Sequence, residues 1–114
     1  MKYSLLGKTD IKVSNYCLGT MTFGEQTNEK DSHLQMDKAY DAGINFFDTA
    51  EMYSTCPTRK ETAGKTESII GTWLKKNSAL RSKLVLATKI IGNEYSFIRD
   101  GGPITSKSIK VALD

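Results

Sequence analysis

The sequence predicts an α/β fold of parallel βαβ units, on three observations. Short apolar runs alternate with amphipathic helical stretches along the 114 residues. Helix-start and helix-stop residues punctuate the alternation where expected. The order is a hairpin followed by β-α-β-α-β-α, and beyond it no internal repeat or low-complexity segment is visible.

Residues 2–6 and 11–13 are β-prone and joined by Gly7-Lys8-Thr9-Asp10, the pattern of a hairpin with a glycine-containing turn. Asn15-Tyr16-Cys17-Leu18 reads as a short strand ended by Gly19. The first helix is expected after the loop from Thr20 to Thr27, with Asn28 as N-cap and Glu29 and Asp31 in the first turn, where negative charge meets the positive end of the helix dipole. Met36, Ala39, Tyr40 and Gly43 recur at the spacing of one buried helical face, and Gly43 is a natural helix stop. His33, the single histidine, is expected as a solvated residue on this helix.

Ile44 to Asp48 forms the next strand, apolar as strands covered on both faces tend to be. A polar loop from Tyr53 to Gly64 leads to a helix over Lys65–Lys76, in which Ile69, Ile70, Trp73 and Leu74 make the apolar stripe. Leu84 to Thr88 is a third strand closed by Lys89. Ile91 to Pro103, with three glycines, reads as a flexible loop. Thr105 or Ser106 then caps a helix whose inner face would be Ile109, Ala112 and Leu113. This last helix carries no stop signal, so the chain is expected to be a truncated piece of a longer domain.

Composition narrows the function classes. A hydrophobic fraction of 39%, a charged fraction of 25% and a net charge of +3 describe a globular chain without a basic stripe for nucleic acid. No apolar run approaches the ~20 residues of a membrane span, and the N-terminus is too polar for a signal peptide. The expectation is therefore a cytoplasmic protein that engages neither nucleic acid nor membrane. Cys17, Cys56 and His33 have no metal-ligand spacing, so no metal site is expected and the two thiols should be reduced.

In parallel α/β folds, chemistry collects at the carboxyl ends of the strands. Gly19 to Gly24 follows the first parallel strand, Asp48 to Tyr53 follows the second, and Lys89 closes the third. A carboxylate, a phenol and an ammonium would thus meet at one rim. A phenol with an ordinary pKa near 10 is a poor acid at neutrality, and a neighbouring ammonium favours its ionised form. A carboxylate that holds the ammonium would complete a general acid able to protonate a carbonyl oxygen. Taken singly, each residue has a plainer reading: Asp48 as an Asx-turn cap, Tyr53 as a half-buried surface tyrosine, Lys89 as a snorkelling strand end. Gly19 to Gly24 lacks the G-x-G-x-x-G fingerprint and alone is only a loop.

Leu6-Gly7-Lys8-Thr9 with Lys12-Val13-Ser14, Leu18-Gly19-Thr20-Met21-Thr22-Phe23-Gly24-Glu25-Gln26, the run Ala42 to Tyr53, Thr66-Glu67 and Ala87-Thr88-Lys89 together resemble the aldo/keto reductases, essentially over the whole chain. Gly-Ile-Asn-Phe-Phe-Asp-Thr-Ala-x-x-Tyr, here Gly43 to Tyr53, is the most specific segment, and the loops look most like the bacterial-type branch of broad carbonyl reductases. The resemblance implies a partial (β/α)8 TIM barrel: residues 1–114 would be the N-terminal hairpin and first three βα units of a single barrel domain that typically takes ~250 residues. It implies NADPH-dependent reduction of small aldehydes or ketones. Asp48, Tyr53 and Lys89 would be three members of the family's catalytic tetrad, with Tyr53 the proton donor. Gly19, Thr20, Met21 and Asp48 would contact the nicotinamide half of NADP(H). The tetrad histidine follows the fourth strand in the family, and the 2′-phosphate contacts come from the last two βα units, so the chain alone is expected to be inactive. Three parallel strands would leave two unpaired edges, so the chain is also expected to be marginal, self-associating or dependent on a partner that completes the sheet. A non-catalytic regulatory or binding module, as in potassium-channel β subunits of the same fold, is the alternative reading, as is an inactive truncated product.

Overall fold

A computed structural model describes residues 1–113. Tyr3–Leu5 (β1) pairs antiparallel with Lys12–Ser14 (β2) as a two-stranded hairpin, and a separate parallel sheet has the order Leu18–Gly19 (β3), Phe46–Asp48 (β4), Val85–Ala87 (β5). Helices Glu29–Asp41 (α1) and Lys65–Lys76 (α2) make the crossovers, and Ser106–Leu113 (α3) follows β5. Single 3-10 stretches lie at Ser78–Lys83 and Arg99–Gly101.

The helix boundaries follow from their caps. Asn28 Oδ1 accepts the backbone N–H of Asp31 at 2.9 Å, satisfying one of the orphan donors of the first turn of α1. Gly43 takes a left-handed φ of 90° just past the helix, and a Cβ there would lie 3.0 Å from the Tyr3 hydroxyl, which donates to the Gly43 carbonyl. At α3, Thr105 Oγ1 accepts the Ser108 N–H at 3.1 Å, which makes Thr105 the cap.

Register sorts the two faces of the parallel sheet. Leu18, Phe47 and Leu86 stand in one row, and all three pack against the helices. Phe47 lies 5.8 Å from Trp73, centroid to centroid, within a core of Phe23, Met36, Ala39, Ile69, Ile70, Trp73 and Leu84. Because side chains alternate along a strand, Gly19, Asp48 and Ala87, the next row, face the other way. The hairpin is fastened beneath by Asn45, whose Oδ1 accepts the Ser14 N–H at 2.7 Å and whose Nδ2 donates to the Lys12 carbonyl at 3.1 Å.

Four expectations need correction. The strand expected over Asn15–Leu18 begins only at Leu18, since Leu18 is the first residue there with a ladder partner, Phe47. His33 is 9% exposed rather than solvated. Its Nε2 sits 3.2 Å from the Ile69 carbonyl and 3.1 Å from Thr72 Oγ1, and Lys76 Nζ lies 3.3 Å from Nδ1. Three residues before Met36, it shares the inward face of α1, so the chain places it against α2. The loop from Ile91 to Pro103 is not free, because the part-buried ion pair of Arg99 with Glu51 ties it down. Finally, α3 buries no residue: Ile109 and Leu113 remain exposed, since no later element covers them among the described residues.

Candidate active site at the carboxyl rim of the sheet

Asp48 ends β4, and Lys89 lies two residues past Ala87 on β5, so alternation puts both side chains on the face away from the helices. Lys89 Nζ donates to Asp48 Oδ2 at 2.6 Å and to the Thr49 carbonyl at 2.7 Å. The same ammonium stands 5.0 Å from the centroid of the Tyr53 ring, within cation–π range. Partial burial works to lower the pKa of Lys89. The hydrogen bond to Asp48, together with the Tyr53 phenol and the Asp48 charge, outweighs it and holds the ammonium above its ordinary 10.5. Asp48, Tyr53 and Lys89, picked out as one group in the sequence, therefore do meet.

The backbone that carries them is closely tied. The Thr20 N–H and hydroxyl both donate to the Asp48 carbonyl, at 3.2 and 2.8 Å. Thr20 is fully buried, so its hydroxyl holds the end of β4 in place. Gly19 pairs with Asp48 in the sheet and is exposed, and a Cβ built on it would meet nothing within 4 Å. Met21 is exposed too, while its carbonyl accepts the Thr55 N–H at 2.8 Å and so joins the loop after β3 to the one after Tyr53. A cleft of about 200 Å³ opens beside Tyr53 and Lys89, lined also by Ala50, Met52, Ile91 and Glu94.

Two contributors escape the sequence reading. One is a backbone group, the Thr49 carbonyl, which no side-chain pattern could reveal. The other is the Glu51–Arg99 pair, whose members are 48 residues apart.

The profile of the Aldo/keto reductase family matches residues 15–110. The chain belongs to that family. The Tas protein of Escherichia coli is 44% identical over 116 residues, covering 99% of this chain and 33% of that protein. An uncharacterized oxidoreductase of Bacillus subtilis, YrpG, is 50% identical over 90 residues, 79% of this chain and 26% of that protein. Among solved structures, the holo form of the aldo-keto reductase AKR11C1 from Bacillus halodurans superimposes with a TM-score of 0.74 at 32% identity, over 99% of this chain and 34% of that one. The chain thus spans about a quarter to a third of the length of these relatives. Aldo/keto reductases are oxidoreductases built on a (β/α)8 barrel, and the partial parallel sheet with its covering helices is consistent with part of such a barrel. Among the described residues, no helix is long and apolar enough to cross a membrane.

Proposed function

We propose that residues 1–114 are the hairpin and first three βα units of a single aldo/keto reductase barrel, and that the whole protein reduces small aldehydes or ketones to alcohols with NADPH. The observation that carries this reading is the approach of Lys89 Nζ to Asp48 Oδ2 and to the Tyr53 ring. Tyr53 donates the proton to the carbonyl oxygen. Lys89 offsets the negative charge left on the phenol, and Asp48 and the Thr49 carbonyl keep that ammonium charged and aimed. A nicotinamide cofactor, when bound, supplies the hydride. The face beside Asp48 suits a flat ring, because Gly19 leaves the space next to it open and Met21 is exposed there. Gly19, Thr20, Met21 and Asp48 would hold the nicotinamide end, Thr20 by keeping the Asp48 strand end in place. The exposed thiols of Cys17 and Cys56 suit the reducing cytoplasm.

Tyr53→Phe in the whole protein keeps the ring and removes only the acidic hydroxyl. Its kcat should fall by roughly 10²–10⁴-fold with NADPH binding nearly unchanged. A kcat like that of the wild type would show that another group is the acid.

A further inference from the structure

Tyr53 and Lys89 come from different βα loops, so their approach depends on whatever couples those loops. The Tyr53 N–H donates to the Ala50 carbonyl at 3.0 Å, closing a turn that has Glu51 inside it. The Glu51 N–H donates to the Lys89 carbonyl at 3.0 Å, and its Oε1 accepts the Ile91 N–H at 2.7 Å. One residue on the tyrosine loop therefore grips the backbone on both sides of Ile90. Arg99 closes the grip: its guanidinium donates to both Glu51 oxygens and, through Nη2, to the Ile91 carbonyl at 2.8 Å. Both side chains are largely shielded, with 14% exposure for Glu51 and 16% for Arg99. A shielded, multiply bonded pair of this kind orders its surroundings far more than a solvated surface pair does.

We propose that Glu51 and Arg99 are positioning residues for the reductase chemistry: as a clamp between the second and third βα loops they hold the Tyr53 ring over the Lys89 ammonium. The clamp rests on the function proposed above only for its catalytic consequence. The geometry it maintains exists in this chain whatever reaction follows. Neither residue touches the reacting atoms in this scheme. Loss of the clamp lets the turn at Glu51 and the backbone at Ile91 move apart, and Lys89 then loses a partner while α1 and α2 keep their packing.

The test uses the opposite signs of charge and position. Removing the positive Arg99 would, by Coulomb effects alone, raise the pKa of a nearby lysine. Loosening Lys89 from Tyr53 lowers it. The pH profile of Lys89 acetylation by trace acetic anhydride, read by peptide mass spectrometry, separates the two in wild type, Glu51→Gln, Arg99→Ala and Arg99→Lys. The Lys89 midpoint should fall toward 10.5 in Arg99→Ala, and Arg99→Lys should recover part of the difference. Hydrogen exchange over the Ile91 segment should quicken by about tenfold or more in Arg99→Ala and Glu51→Gln, with α2 protection unchanged as the check on folding. A Lys89 midpoint that stays or rises in Arg99→Ala, with α2 still protected, overturns the clamp. In the whole enzyme Arg99→Ala should lower kcat about tenfold or more while KM for the carbonyl stays near wild type. Unchanged kcat also overturns the positioning role. If the wild-type protein reduces no carbonyl, the functional reading fails, and the labelling profile decides the clamp by itself.

Discussion

The Lys89 ammonium spans the gap between two neighbouring parallel strands to reach Asp48 Oδ2 at 2.6 Å, while the Thr49 carbonyl takes a second of its protons at 2.7 Å. Both groups are partly open to solvent, with side-chain exposures of 49% for Lys89 and 40% for Asp48. Such a pair contributes little to folding in water. Its worth is directional, since a lysine with two fixed acceptors keeps its charge next to Tyr53.

The pH dependence of that pair has a definite sign. The folded state raises the pKa of Lys89 above 10.5, so its contribution to stability is fully present below 10.5 and is lost as pH rises through the raised value. The difference in urea midpoint between wild type and Lys89→Met should therefore be flat from neutrality to about pH 10 and shrink above it. A difference that grows with alkaline pH would contradict the assignment.

Trp73 should be the costliest core position. It is 1% exposed, packs on Phe47, and its Nε1–H donates to Asp37 at 2.7 Å. Trp73→Ala should lose about 3–5 kcal/mol, read as a shift in urea midpoint. A loss under about 1 kcal/mol would mean that α1, α2 and the sheet do not share one core.

Asn45 joins the hairpin to the parallel sheet. Asn45→Ala leaves the Ser14 N–H without its acceptor, in a residue that is 3% exposed. A destabilisation of about 1–3 kcal/mol is expected, together with faster hydrogen exchange in residues of β1 and β2. Uniform acceleration across α2 as well would show that the hairpin is not a separate unit.

The purified 114-residue chain should self-associate and should not turn over NADPH with a reactive aldehyde. β3 and β5 are the outer strands of the three-stranded sheet, and each offers free backbone groups to another chain. Leu5, Ile109, Val111 and Leu113 are exposed as well. The single histidine, His33, is occupied between α1 and α2, so it does not provide the tetrad histidine that the family resemblance calls for. Light scattering reporting one monomeric species, or steady NADPH oxidation, would contradict these expectations.

The elements themselves were legible in the residues. Lys65–Lys76 is a helix with the bounds its apolar spacing and terminal lysines indicate, and Asn28 and Gly43 cap α1 as their side chains and backbone freedom require. These are local effects, decided within one or two turns of chain. The sequence also put Asp48, Tyr53 and Lys89 near strand ends, because alternating strands and helices leave loops on one rim. Tertiary structure decided the rest. Whether Phe46 or Phe47 faces the helices depends on register, and a slip by one residue would have turned Asp48 into the core. His33 looked like a solvated polar residue until α2 packed on it, since burial depends on the neighbouring element and not on the residue type. Glu51 and Arg99 had no common local pattern, and only the fold that brings their loops together makes them partners.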